Sequence, residues 1–147
     1  MRIVIDTNIT FSAILNTNSR IARILLHPRS TFNFYSTNQL LNEIEEHKGK
    51  IKQLSDYSDH ELTRITKLIT GKIRFINVRL ISRESFKQAE TLTFDVDIDD
   101  TEFVALTEHI KGKLWTGDQE LQRGLIKKGW NKFINTDELY QKQLRKK

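Results

Sequence analysis

The chain has 147 residues, 24 Lys+Arg against 19 Asp+Glu, a formal net charge of +5 and no cysteine. That length predicts one domain, 1–147, with a core large enough to need no disulfide. The missing thiols exclude a disulfide framework, a thiolate nucleophile and a Cys-based zinc site. No stretch approaches the ~18 apolar residues of a membrane span, so a soluble, cytoplasmic protein with no membrane partner is expected. The positive balance favours a polyanionic partner such as nucleic acid.

In chain order, RIVID at 2–6 has the β-branched apolar run of a buried strand. Ile21, Ile24 and Leu25 place one face of a helix over 19–27, and Pro28 stops it. FNFYS at 32–36 reads as a strand. Thr37 is a plausible N-cap for one long helix carrying Leu40, Leu41, Ile44, Ile51 and Leu54. Ser58 and Glu61 have capping-box spacing ahead of Leu62, Ile65, Leu68 and Ile69. IRFINV at 73–78 is strand-like, and Ser82 caps a helix running to about Leu92. Residues 101–111 read as a helix, with Phe103, Leu106 and Ile110 inward and Gly112 just past its end. KLWT at 113–116 is a strand, a short helix reaches Gly129, and KFIN at 132–135 is the last strand. A helix begins near Thr136, and the basic tail 141–147 is expected to fray.

Strands separated by helices imply βαβ units and a mostly parallel sheet. Such sheets build their sites beyond the carboxyl ends of the strands. RIVID ends in Asp6 and KLWT runs into Asp118. Asp99 and Asp100, in the run DVDIDD at 95–100, stand where the helix of 101–111 starts. Its dipole is expected to hold a carboxylate ionised there. Glu43 follows Leu40 on the apolar side of its helix. Each acid alone also fits a plainer role: Asp6 and Asp118 as turn residues, Asp100 as an N-cap, Glu43 as a solvated charge. Taken together they converge on one cleft, and an all-oxygen cluster suits Mg²⁺ or Mn²⁺ over zinc.

Two other motif readings compete. An EF-hand counted from Asp95 fails, because its sixth residue is Asp100 and its twelfth Leu106. DIDDT at 97–101 fits the D-x-D-x-T nucleophile of haloacid-dehalogenase-like phosphatases, but follows TLTFDV, a poor strand. His47 shares a helix face with Glu43, and His27, His60 and His109 read as surface residues. Trp115 reads as core, whereas Trp130 is open to base stacking.

IDTN at the start, the acid in LLNEIEEH, DIDDTEFVAL and LWTGDQEL, in that order, resemble a PIN domain. The resemblance covers essentially the whole chain, and a small PIN domain is similar to the toxin of VapC-type toxin–antitoxin pairs. It implies a three-layer α/β/α fold and a Mg²⁺- or Mn²⁺-dependent endoribonuclease, often a homodimer. It also implies RNA as substrate and a cognate antitoxin as partner. The implied catalytic acids are Asp6, Glu43, Asp100 and Asp118, with Asp6, Asp100 and Asp118 on the metal. Asp100 is placed by Ala105 and Leu106 downstream, and is expected to matter more than Asp97. Asn8 and Thr116 match polar residues lining such sites. Glu120 stands where many members have Asp, and Asp97 and Asp99 are further supporting acids. A non-catalytic nucleic-acid-binding module on the same fold is the main alternative.

Overall fold

The computed structural model describes residues 1–28 and 30–145. Five strands form one sheet: β1 (Arg2–Ile5), β2 (Asn33–Thr37), β3 (Ile73–Ile76), β4 (Lys113–Trp115) and β5 (Phe133–Ile134). The order is β3-β2-β1-β4-β5, and every pairing is parallel. Ile3, Val4 and Ile5 are fully buried, as a central parallel strand covered on both faces requires.

Nine α-helices among the described residues cover the sheet. They are α1 (Thr7–Leu15), α2 (Arg20–Leu26), α3 (Asn38–Glu46), α4 (Lys48–Ser55), α5 (Asp59–Thr70), α6 (Arg83–Thr93), α7 (Thr101–Ile110), α8 (Gln119–Lys127) and α9 (Thr136–Arg145). One group is built around α1, which touches α2, α3, α4 and α5, while α9 packs on α2. In the other, α7 lies on β1, β2 and β4 with α6 against it. The result is a three-layer α/β/α architecture. No helix among the described residues is long and apolar enough to cross a membrane.

Of the N-caps read from the sequence, Ser58 and Ser82 are made, whereas Thr37 makes no side-chain cap bond. Ser19, Ser58 and Ser82 accept from backbone N–H groups of α2, α5 and α6, and Ser58 with Glu61 completes the capping box. Three features differ. The helix α1 carries no amphipathic stripe; Thr7, Ile9, Thr10, Ala13 and Ile14 are all buried, so periodicity does not reveal it. The long helix from Thr37 is two helices. His47, at φ −101° and ψ 12°, ends α3 and begins α4, and Leu41 and Leu54 are exposed. The tail expected to fray is helical through Arg145, with Gln143 buried; residues 146–147 lie outside the described residues.

The end of α7 also differs from the pattern. Lys111, not Gly112, takes the left-handed conformation, at φ 55°. Gly112 serves a different need. A Cβ there stands 2.7 Å from the Arg2 carbonyl oxygen, so only glycine lets β4 start this close to β1. Gly112→Ala is therefore expected to cost about 1–3 kcal/mol through overpacking. The melting temperature should fall by several degrees. A variant that melts within about 1 °C of wild type would show that the β1–β4 start relaxes freely.

Candidate active site

The chain builds outward from β1 to β2 and β3, then returns to the other side of β1 for β4 and β5. Strand order thus reverses between β1 and β4, and a cleft opens beyond their carboxyl ends. Asp6 directly follows β1, and Asp118 lies three residues past β4. Both acids cap a helix. The Asp6 Oδ1 accepts from the Ile9 N–H at 2.9 Å, and the Asp118 Oδ1 from the Leu121 N–H at 3.1 Å. The caps hold the carboxylates in place without using both oxygens.

Thr116 ties the two strand ends together. Its hydroxyl accepts from the Asp118 N–H at 3.1 Å and bonds to the Asp6 carboxylate. Its carbonyl accepts from Gln122 Nε2 at 3.2 Å. Glu43, half-buried on α3, faces Asp6 closely enough to raise its pKa. Gln39 holds it: Nε2 donates to Glu43 Oε1 at 2.6 Å and to the Asp99 carbonyl at 2.8 Å. Gln39 therefore latches α3 to the acidic loop.

That loop is a short 3₁₀ turn, Ile98–Asp100, between α6 and α7. Asp97 accepts from the Asp99 N–H at 3.1 Å, and Thr101 Oγ1 donates to the Ile98 carbonyl at 2.7 Å. Asp97, Asp100 and Asp118 offer carboxylate oxygens that lie within 4.8 Å of one another. Asp95 points to a different task, forming an ion pair with Lys128. Gly124 on α8 seats the loop: a Cβ there meets both Val96 methyls at 2.8 Å.

Asp6, Glu43, Asp100 and Asp118 lie near one another at this edge, and two features of the group stand out. Asp97 joins Asp100 and Asp118 in the tightest group, while Asp6 is deeper, 3% exposed, and engaged by Ile9 and Thr116. Asp100 is not held ionised by the helix start. Its side chain makes no cap bond. Burial, then the charge of Asp97 and of Asp6, push its carboxyl up to about 8. Desolvation and neighbouring carboxylates outweigh a dipole acting at a helix end. Burial likewise pushes Asp6 up to about 6, with Asp118 and Glu43 adding to the effect against the bonds from Thr116 and Ile9.

Other expectations sort themselves by position. Asn8, Asp99 and Glu120 are exposed, and neither Asn8 nor Glu120 has a side-chain bond to the acids. Trp130 is buried, not open to bases, with its N–H on Glu108. Trp115 is core as expected, and its N–H donates to Thr136 at 3.0 Å. His47 binds the Glu43 carbonyl through Nδ1 at 2.9 Å and leaves the carboxylate alone. DIDDT at 97–101 follows helix α6, not a strand, so the phosphatase placement is absent. Gln39 and Gly124 escaped sequence reasoning. Gln39 stands four residues before Glu43, the helical spacing of a side-chain pair.

A parallel α/β/α sheet with acids gathered at its switch point is a nuclease-type fold. A family model described as PIN domain matches residues 4–142, and the chain belongs to the PIN-domain family. Members are in general metal-dependent nucleases. Comparison with curated proteins matches none of them.

The raised carboxyls predict how metal-free stability varies with pH. In the unfolded chain these groups ionise near pH 4. Between there and the folded values of about 6 and 8, the native state holds more protons. Stability contributed by Asp6 and Asp100 is full at low pH and is lost as pH rises through 6 and then 8. The metal-free melting temperature should fall from pH 5 to pH 8.5. Asp100→Asn should flatten the upper part of that fall. A metal-free protein that grows more stable over this range would contradict the buried-acid assignment.

Proposed function

We propose that the chain is a divalent-metal-dependent endoribonuclease. The observation that carries this reading is the group Asp97–Asp100–Asp118 within 4.8 Å, backed by Asp6 and Glu43. The donor set fits a hard cation: all ligand atoms are carboxylate oxygens. The electrostatics fit as well. Burial, with the charge of Asp97 and Asp6 added, raises the Asp100 carboxyl, and a bound cation would offset both effects. Asp97, Asp100 and Asp118 would hold a Mg²⁺ or Mn²⁺ ion, with Asp6 directing the group from below. Such an ion supplies Lewis-acid activation of water and neutralises charge developing on the phosphate.

The chain's own residues do the rest. Glu43 keeps one oxygen on Gln39, and the other accepts a proton from the attacking water. The water oxygen bonds to phosphorus, the P–O ester bond breaks, and the leaving oxygen is protonated from solvent. No protein nucleophile is required, so the lack of cysteine is no obstacle. Exposed Arg123 and Lys127, on the helix that Asp118 caps, draw in the RNA backbone.

The small PIN-type chain and its resemblance to VapC-type proteins support a toxin role, with an antitoxin partner and a homodimer as the working assembly. A neighbouring gene for a short DNA-binding protein, and growth arrest relieved by its co-expression, are the outcomes that role requires. The non-catalytic alternative predicts RNA binding without cleavage in Mn²⁺. A DNA strand cut as readily as RNA would widen the substrate class.

Asp97→Asn, Asp100→Asn, Asp118→Asn and Asp6→Asn should each lower RNA cleavage about a hundredfold or more while leaving the fold intact, since ligand changes cost at least as much as outer-sphere ones. Asp99→Asn should cleave near the wild-type rate, because Asp99 is exposed and lends its carbonyl. Cleavage assays with circular dichroism decide; an active Asp118→Asn protein would end the site assignment.

Ion binding should also register without turnover. Occupancy at a hundredfold excess over Kd stabilises by about 2.7 kcal/mol, which for this size moves the melting temperature by roughly 5–10 °C. Wild type should show such a rise in Mn²⁺, and Asp118→Asn should lose most of it. Equal responses in the two proteins would place the ion elsewhere.

A further inference from the structure

Two cavities lined by described residues near the site differ in charge. One, of about 510 Å³, lies by Asp99 and Gln39 and carries Glu90, Asp99 and Glu102 beside Phe86 and Phe94. Among the described residues that line it there is no Lys or Arg, so a phosphate entering there meets mainly negative charge. The other, of about 600 Å³, is bounded by Thr116, Gly117, Gln119, Gln122, Arg123 and Asn135. Thr116, the residue that bonds both Asp6 and Asp118, is part of its wall, so the cavity adjoins the acids through Thr116. Asp137, its one acid, is paired with Arg20 at 2.8 Å. Arg123 is exposed and has no ion pair among the described residues.

The helix presents these groups as a set. Gln119, Gln122 and Arg123 share the α8 face that a spacing of three and four residues creates. Gln122 is committed through Nε2 to the Thr116 carbonyl. Gln119 is exposed, with no side-chain bond among the described residues, and Arg123 carries a fork suited to two phosphate oxygens. We infer that this cavity seats the nucleotide adjoining the cleaved bond, with Arg123 gripping its phosphate and the Gln119 amide reading its base. The inference rests on the nuclease reading above and goes further by naming where the strand is held and where base preference arises. The opposite, acidic cavity then takes no phosphate, so the strand has one polarity across the site.

The test compares wild type, Arg123→Ala, Arg123→Lys, Lys127→Ala and Gln119→Ala on short single-stranded RNAs varied at the bases flanking the cut. Arg123→Ala should raise KM about tenfold, the low end for a hydrogen bond to a charged group, with kcat nearly unchanged. Arg123→Lys should recover only part, because a point charge replaces a fork. Lys127→Ala removes the same charge from the same helix outside the cavity wall, and should cost about twofold through the general field alone. Gln119→Ala should level the preference at one flanking base. Equal KM changes for Arg123→Ala and Lys127→Ala, or an unchanged base preference in Gln119→Ala, overturn the inference. Affinity for the same RNAs, read by fluorescence anisotropy in metal-free buffer, separates it from the nuclease reading. A wild type that binds but never cuts sinks that reading alone, and Arg123→Ala must still bind less tightly than Lys127→Ala. A wild type that binds no RNA sinks both.

Discussion

Carboxylates gathered at the carboxyl ends of two adjacent parallel strands repel one another, and much of the surrounding structure exists to hold them against that repulsion. Asp6 and Asp118 are fixed because each also caps a helix. Thr116 ties the two together with one hydroxyl. Asp100 has no such anchor, and burial, together with the repulsion, raises its carboxyl to about 8. Function and fold stability therefore pull in opposite directions here, as they do wherever a site concentrates like charge.

The order β3-β2-β1-β4-β5 explains why these acids meet at all. Residues 6 and 118 are far apart in the chain, yet β1 and β4 are neighbours in register, with Ile5 opposite Trp115. The loop carrying Asp97 and Asp100 is brought to the same place by α7, which packs on β1, β2 and β4. Gly124 lets Val96 approach α8, and Lys128 fixes Asp95 through an ion pair and the Leu92 carbonyl through a hydrogen bond at 2.9 Å. The loop is thus pinned from the α8 side, while Gln39 pins it from the α3 side.

The surplus of positive charge is not spread evenly in its use. Lys128 and Lys132 are committed to Asp95 and Glu108. Arg123 and Lys127, on the helix that Asp118 caps, have no acid partner among the described residues. A polyanion approaching the cleft meets a field that attracts the strand, and then a negative centre that accepts a phosphate only with a cation between them. The acidic cavity beside Asp99 and the cavity holding Arg123 give that field a direction.

Much of this was legible in the residues alone. Short apolar runs marked each strand, serine caps marked α5 and α6, and the acids at strand ends marked the cleft. These are local signals, set by backbone sterics, capping and the rule that parallel sheets present their sites at one edge. What escaped has a common cause. The helix α1 is buried on too many sides to show a stripe. Trp130 is buried by its N–H on Glu108, which lies in another element. Asp100 looked like an ionised helix-start acid until its burial and its acidic neighbours were in view. The sequence by itself determined which residues carry charge, which segments turn, and which strand ends bear acids, because those follow from nearest neighbours. Only the tertiary structure decided which acids lie together, that Asp97 stands beside Asp100 and Asp118, and that burial raises the Asp100 carboxyl. Desolvation and Coulomb repulsion act through space between residues the chain keeps far apart.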